Sequence, residues 1–416
     1  MRDLKTIANS IISLDEWISN NDWKAYDPFD GLSAKAAKLA TFNNHYLRIL
    51  WQQSVRRFPL NLRPLLGIEK QTSTKGMGFC ALGYLKLYQA TQDSRYLEMA
   101  QHCLEWLTKN YTKGYSGYAW GNHFSYESRG GRIPSGLPTI VWTSLISNVF
   151  LDAYEVLDEP AYFEIAKSSG EFILNDIGRY KDSEETICLM YSPSEKDNPS
   201  FRRCIHNSNV LGASLLARLY KHTRDDKFLS CAKKSINFTL KHQLPDGGWY
   251  YGEPQKYRWV DSFHTGYVLE SIYGYMNATG DKTCEEKLVK GFKYFQSTFF
   301  EKDGTPRYYN YKTYPVDIQC AAQGVQTLVN LCEYDQHSVD LATKVALWTI
   351  KHMQDPEGYF YFRKYPVLTN KTPMFHWAQA TMLAALAHLV KKLRNGSVTS
   401  MEESSMPTEG ILNGKN

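Results

Sequence analysis

The chain of 416 residues has no cysteine pair at metal or redox spacing, no block of like charge and no long apolar run. Its eight cysteines (Cys80, Cys103, Cys188, Cys204, Cys231, Cys284, Cys320 and Cys332) stand singly, several on apolar helical faces. Zinc ribbons and CxxC redox motifs are thereby excluded, and buried reduced thiols suited to a cytoplasmic protein are expected. The formal net charge is +5, from 48 Lys and Arg against 43 Asp and Glu. Without a basic tract this gives no footing for nucleic-acid binding. No run approaches the ~18 apolar residues of a membrane helix, so no membrane span is expected. The apolar stretch from Ile7 to Leu14 is closed by Asp15-Glu16 and is too short for a signal peptide, which predicts a chain without a leader.

What is abundant is aromatic residues, 14% of the chain with 29 Tyr and 10 Trp. Many lie in polar loops, and behind such loops a segment of small and apolar residues at helical spacing opens six times. The openings are Thr74-Lys75-Gly76, Pro138-Thr139, His206-Asn207-Ser208-Asn209, Asp261-Ser262-Phe263-His264, Pro315-Val316-Asp317 and Phe375-His376-Trp377. Between them lie more charged amphipathic segments, giving a period of roughly 55 to 65 residues. Each hairpin needs its neighbours to cover its apolar face, so the repeat predicts one all-α domain, an (α/α)6 toroid of six helical hairpins.

Outer helices are expected at 33–57, 93–110, 159–176, 225–243, 281–299 and 338–354. Pro59 ends the first, and Asp, Ser or Glu-Pro opens the other five with capping chemistry. The sequence divides into an N-terminal segment 1–32, a toroid 33–395 and a tail 396–416. That tail is rich in Ser, Glu, Gly and Asn and is expected to be disordered. Gly76, Gly78, Ala81 and Gly83 would let neighbouring inner helices approach closely.

In such a ring the loops leading into the inner helices crowd one mouth, where the helix N-termini favour anionic groups. Asp261 and Asp317 open consecutive inner helices; they are candidates for the carboxylate pair of glycoside hydrolysis, and each serves equally well as an N-cap. A helix N-terminus lowers the pKa of an acid, so Asp261 is read as base, Asp317 as its partner, and His264 or Asp246 as proton donor. His206, His264 and His376 also open inner helices, and a pair such as His264 and His376 would suit proton exchange on the two faces of a sugar carbon. Trp120, Tyr126, Trp249 and Tyr250 are candidate stacking platforms for sugar rings, or loop-packing residues, and His206, His376 and Trp377 are further candidate binding residues. Arg129 and Arg258 suit a carboxylate or sulfate, and Asn209 and Gln319 complete the candidate binding set. No short ligand spacing exists, so neither a metal nor a cofactor is expected.

Several stretches together resemble the VpsJ-like polysaccharide biosynthesis proteins. They are Tyr126-Glu127-Ser128-Arg129 with Pro138-Thr139-Ile140-Val141, His206 to Ala213, Asp246-Gly247-Gly248-Trp249-Tyr250-Tyr251-Gly252, Trp259 to Gly266 and Tyr314-Pro315-Val316-Asp317. The resemblance runs from about Trp23 to Leu393 and implies a six-hairpin, glycosidase-like toroid in exopolysaccharide or capsule assembly. It carries no catalytic residues over. A shorter stretch, His376-Trp377-Ala378-Gln379-Ala380, is similar to a helix start of the N-acylglucosamine 2-epimerases. Asp246-Gly247-Gly248-Trp249 also resembles the turns of squalene cyclases, without the D-x-D-D run that protonates an alkene. The expected ligand is therefore an oligosaccharide or nucleotide-linked sugar, cleaved, epimerised or merely bound, with glycosyltransferases of the same pathway as protein partners.

Overall fold

A computed structural model of the chain describes residues 2–195 and 203–404. In chain order its helices are α1 (Arg2–Asn20), α2 (Ala37–Thr41), α3 (His45–Arg57), α4 (Thr74–Thr91), α5 (Ser94–Lys109), α6 (Ile140–Leu157), α7 (Pro160–Asn175), α8 (His206–Thr223), α9 (Asp226–Lys241), α10 (Ser262–Thr279), α11 (Glu285–Thr298), α12 (Ile318–Asn330), α13 (Ser338–Met353) and α14 (Thr381–Ser404). A π-helical turn, Phe375–Ala380, leads into α14.

The inner helices α4, α6, α8, α10, α12 and α14 each pack on the next, and α14 packs back on α4, closing the ring. Small residues set the close approach. A Cβ at Gly76 would stand 2.5 Å from the Phe375 ring, and one at Gly83 would stand 2.9 Å from Leu383. Outer helices α5, α7, α9, α11 and α13 each pack on the inner helix they follow. Asp93, Asp225 and Glu159 cap three of them through side-chain oxygens, as their sequence positions imply. Ser338 does not cap α13; its buried hydroxyl donates instead to the Leu328 carbonyl, 2.9 Å away.

Two expectations are corrected. The sixth outer helix is α1, which packs on α14 and α13, so the N-terminal segment belongs to the ring. Its buried face, Ile7, Ile11, Leu14 and Ile18, repeats at helical spacing. The region 33–57 supplies no outer helix. It forms α2 and α3, and α3 lies over the mouth as a lid, lining its cavity through Ile49, Gln53, Arg56 and Arg57. Gln52 of α3 exchanges two 3.0 Å hydrogen bonds with the backbone of Glu127, whose carboxylate takes His45 and Arg48. Glu127 sits on the hairpin of β1 (Tyr126–Ser128) with β2 (Gly131–Ile133).

Of the tail, α14 extends as helix to Ser404, and residues 405–416 lie outside those described. A further hairpin joins β3 (Arg179–Lys181) with β4 (Ile187–Leu189), and β5 (Val316–Asp317), β6 (Arg363–Lys364) and β7 (Thr369–Asn370) form a three-stranded antiparallel sheet. By length and composition α6 is apolar enough to cross a membrane, contrary to the sequence reading; here it is an inner helix packed between α4, α7 and α8. None of the eight cysteines, all among the described residues, forms a disulfide.

Candidate functional site

Beneath the lid the N-terminal ends of the inner helices enclose a cavity of about 420 Å³, within the ~300–1,000 Å³ range of small-molecule sites. Its wall is aromatic, with Phe29, Tyr126, Trp142, Tyr251, Trp259 and Trp377 among the lining residues. Such a surface suits the apolar faces of sugar rings.

On this wall stands His264, its side chain 20% exposed. Asp261, the N-cap of α10, accepts the His264 backbone N–H at 3.0 Å and the Trp259 indole N–H at 2.8 Å. Its second oxygen also lies 2.7 Å from His264 Nδ1. A carboxylate can only accept, so Nδ1 carries the proton, and in the neutral imidazole Nε2 keeps its lone pair. That is the tautomer a general base needs. The Tyr251 ring lies 4.4 Å from the imidazole, and burial, reinforced by Tyr191, holds its phenol protonated well above the ordinary tyrosine range.

A second pair lies across the wall. His376 Nδ1 is 2.6 Å from Asp27 Oδ2, both residues being buried. Burial alone would raise the Asp27 carboxyl, but the His376 imidazole and the Phe29 N–H bring it below the usual carboxylate value. His123 beside them is pushed down to about 4 by burial and is neutral. Asp27 and Glu127 are the acids among the described lining residues, and each already faces a basic partner.

The remaining sequence candidates divide by where the fold puts them. Tyr126, Arg129 and Trp377 line the cavity. Arg129 lies 4.8 Å above the Trp259 ring and donates to the Lys256 carbonyl. Asp317 does not join Asp261 as a working pair. It is wholly buried and accepts the Gln319 N–H, the Trp377 indole N–H and the Arg363 guanidinium. Asp246 is an exposed turn residue that accepts the Gly248 N–H and stays away from the cavity. His206 is buried behind it, 2.7 Å from Glu253, and Asn209 ties α8 to Ser235 and Thr239 of α9. Gln319 is buried against the Tyr267 hydroxyl. Arg258 is exposed, donates to the Glu253 carbonyl and lies over Tyr250.

Trp120 and Trp249 are core residues, not sugar platforms. Both are at most 2% exposed, and their indole N–H groups donate to the Leu107 and Thr239 carbonyls near the ends of the preceding outer helices. Trp249→Ala is expected to cost about 3–5 kcal/mol of stability while leaving ligand affinity of the folded protein unchanged. Denaturant titration alongside ligand titration checks both. Sequence reasoning missed Asp27, Arg56 and Lys75, all on the cavity wall. Lys75 had a visible signal, being a lone charge in the first turn of an otherwise small and apolar inner helix. Among the described residues no group of three or more His, Cys, Asp or Glu side chains is placed to hold a metal.

Fold and cavity together define an (α/α)6 toroid with a histidine-bearing mouth. Among solved structures the chain is similar to a cellobiose 2-epimerase from Bacillus thermoamylovorans, at 12% identity and TM-score 0.59, covering 77% of this chain and 90% of that one. A GH76 alpha-mannanase from Bacteroides thetaiotaomicron matches at 13% identity and TM-score 0.57, covering 80% and 90%. A polysaccharide lyase matches at 9% identity and TM-score 0.58, covering 98% and 100%. The family model for pectic acid lyase matches residues 195–268, a stretch that contains His206, Asp261 and His264. Comparison with curated proteins finds no match.

Proposed function

We propose that this chain is a carbohydrate-active enzyme that removes a carbon-bound proton from a sugar held in the mouth of the toroid. The observation that carries this reading is the His264 imidazole, fixed by Asp261 at Nδ1 and facing the 420 Å³ cavity. His264 is the base, Asp261 its positioning residue, and Tyr251 the adjacent proton donor. Epimerisation and β-elimination both begin with this step, and the similar structures include an epimerase and a polysaccharide lyase. Hydrolysis by two carboxylates has no support from the cavity wall, because Asp261 and Asp317 are buried with their oxygens engaged.

The His376–Asp27 pair favours the epimerase form, since a second imidazole can return the proton to the opposite face. The lyase form uses Tyr251 instead to protonate the leaving oxygen. Product analysis after incubation with oligosaccharides separates the two. A new carbon–carbon double bond marks elimination and an inverted centre marks epimerisation. Chain cleavage that leaves plain hydrolysed ends, with neither change, would sink the proposal. A place in polysaccharide assembly, on an oligosaccharide or nucleotide-linked sugar beside glycosyltransferases, is part of the same proposal and rests on the sequence motifs. A cytoplasmic location is supported by the eight cysteines, none in a disulfide.

A further inference from the structure

Two cations on the cavity wall lack an anionic partner of their own among the described residues. Lys75 of α4 is 6% exposed, and its ammonium sits over the rings of Phe79, Trp142 and Tyr267 at 5.6, 5.3 and 5.8 Å. The acid that acts on it is Asp27, which already faces His376. Arg56 of the lid lies 4.4 Å from the Phe29 ring and 5.6 Å from the Trp377 ring, and its buried Nε has no hydrogen-bond partner. Asp317, the acid nearest to Arg56 in effect, is already filled by Arg363, Trp377 and Gln319. Burial pulls Lys75 down to about 8 and Arg56 to about 10, so the protein itself disfavours both charges while leaving them charged at neutral pH.

Lys75 also marks the depth of the site. A second cavity of about 410 Å³ runs in from the C-terminal ends of the inner helices, and Lys75 and Tyr267 line both. They form the floor between the two, so Lys75 meets a ligand from below while Arg56 meets it from the lid.

A buried charge without a counter-charge is costly unless a ligand supplies one. We infer that the substrate of the proposed proton-transfer reaction is an acidic sugar whose carboxylate is bound between Arg56 and Lys75. The planar guanidinium matches a carboxylate in two parallel hydrogen bonds, and the ammonium adds a point charge. Neutralising that carboxylate also acidifies the proton on the carbon beside it, the kind of proton His264 is placed to take. The inference rests on the proposed function for its chemistry, but its test is binding and needs no turnover.

Uronic-acid trisaccharides, their carboxyl-reduced neutral counterparts and a sulfated trisaccharide would be titrated calorimetrically into the wild-type chain, Lys75→Met and Arg56→Gln. The uronate is expected to bind at least tenfold more tightly than its neutral counterpart. Each substitution should remove most of that preference, and the melting temperature should hold or rise because an uncompensated buried charge is gone. Equal binding of charged and neutral sugars, no binding of any, or an unaltered preference in both variants would overturn the assignment. So would unfolding of both variants, which would make the two charges structural. Tighter binding of the sulfated sugar would replace carboxylate by sulfate as the recognised group. Deuterium exchange into a neutral sugar would leave the proton-transfer reading standing while removing this one.

Discussion

Replacing His264 with asparagine is expected to lower turnover by about 10²–10⁴-fold, the usual contribution of a general base, with the fold intact. The side chain is partly exposed on the cavity wall and its loss opens no core cavity. The helix beneath it stays capped, because Asp261 holds the backbone N–H at position 264 whatever the side chain. Asp261→Asn tests the other half of the pair. An asparagine carbonyl still caps α10, but its amide can donate to Nδ1 and so favours the tautomer with the proton on Nε2, which is useless as a base. Rates measured beside far-ultraviolet circular dichroism would show a large fall in turnover with little change in helicity. Activity within about twofold of wild type in His264→Asn would remove this residue from the mechanism.

Asp317→Asn should do the reverse, lowering stability far more than the rate per folded molecule. Asp317 is wholly buried, and its carboxylate joins three elements, the start of α12, strand β6 through Arg363 and the turn before α14 through Trp377. Burial by itself would lower the Arg363 pKa, yet Asp317 and Tyr308 hold it above the ordinary value. Removing the charge strands that guanidinium in the interior, a change that costs about 3–5 kcal/mol for a broken buried pair. Urea unfolding should show this as a lower midpoint with an unchanged slope. Normal stability with abolished turnover would return Asp317 to the chemistry.

These two acids show where the sequence was legible and where it was not. Both were readable as starts of inner helices, because an N-cap is a local signal, and α10 and α12 begin one residue after them. The same logic located most outer helices and the order of the ring. What separates the two acids is their partners: Asp317 is closed off by Arg363 and Trp377, distant in sequence, which no local pattern reports, whereas Asp261 is held by its near neighbours Trp259 and His264. The sixth outer helix was hidden because its partner is distant in sequence. The face of α1 reads as amphipathic, but its partner α14 lies at the other end of the chain. Trp120 and Trp249 misled because loop position was taken for exposure; both rings turn inward to carbonyls of the outer helices. Lys75 was readable in principle, since a lysine inside a small, apolar inner helix has no ordinary reason to be buried.

The central claim, proton removal from a sugar carbon by His264, is tested most directly by proton NMR of an acidic oligosaccharide incubated with the protein in deuterated water. The account predicts, with wild type, either deuterium on a ring carbon of the product or recovered substrate or a ring C–H signal replaced by that of a new double bond, and the disappearance of both with His264→Asn. Turnover with neither deuterium on carbon nor a new double bond, or undiminished conversion in the variant, would contradict it.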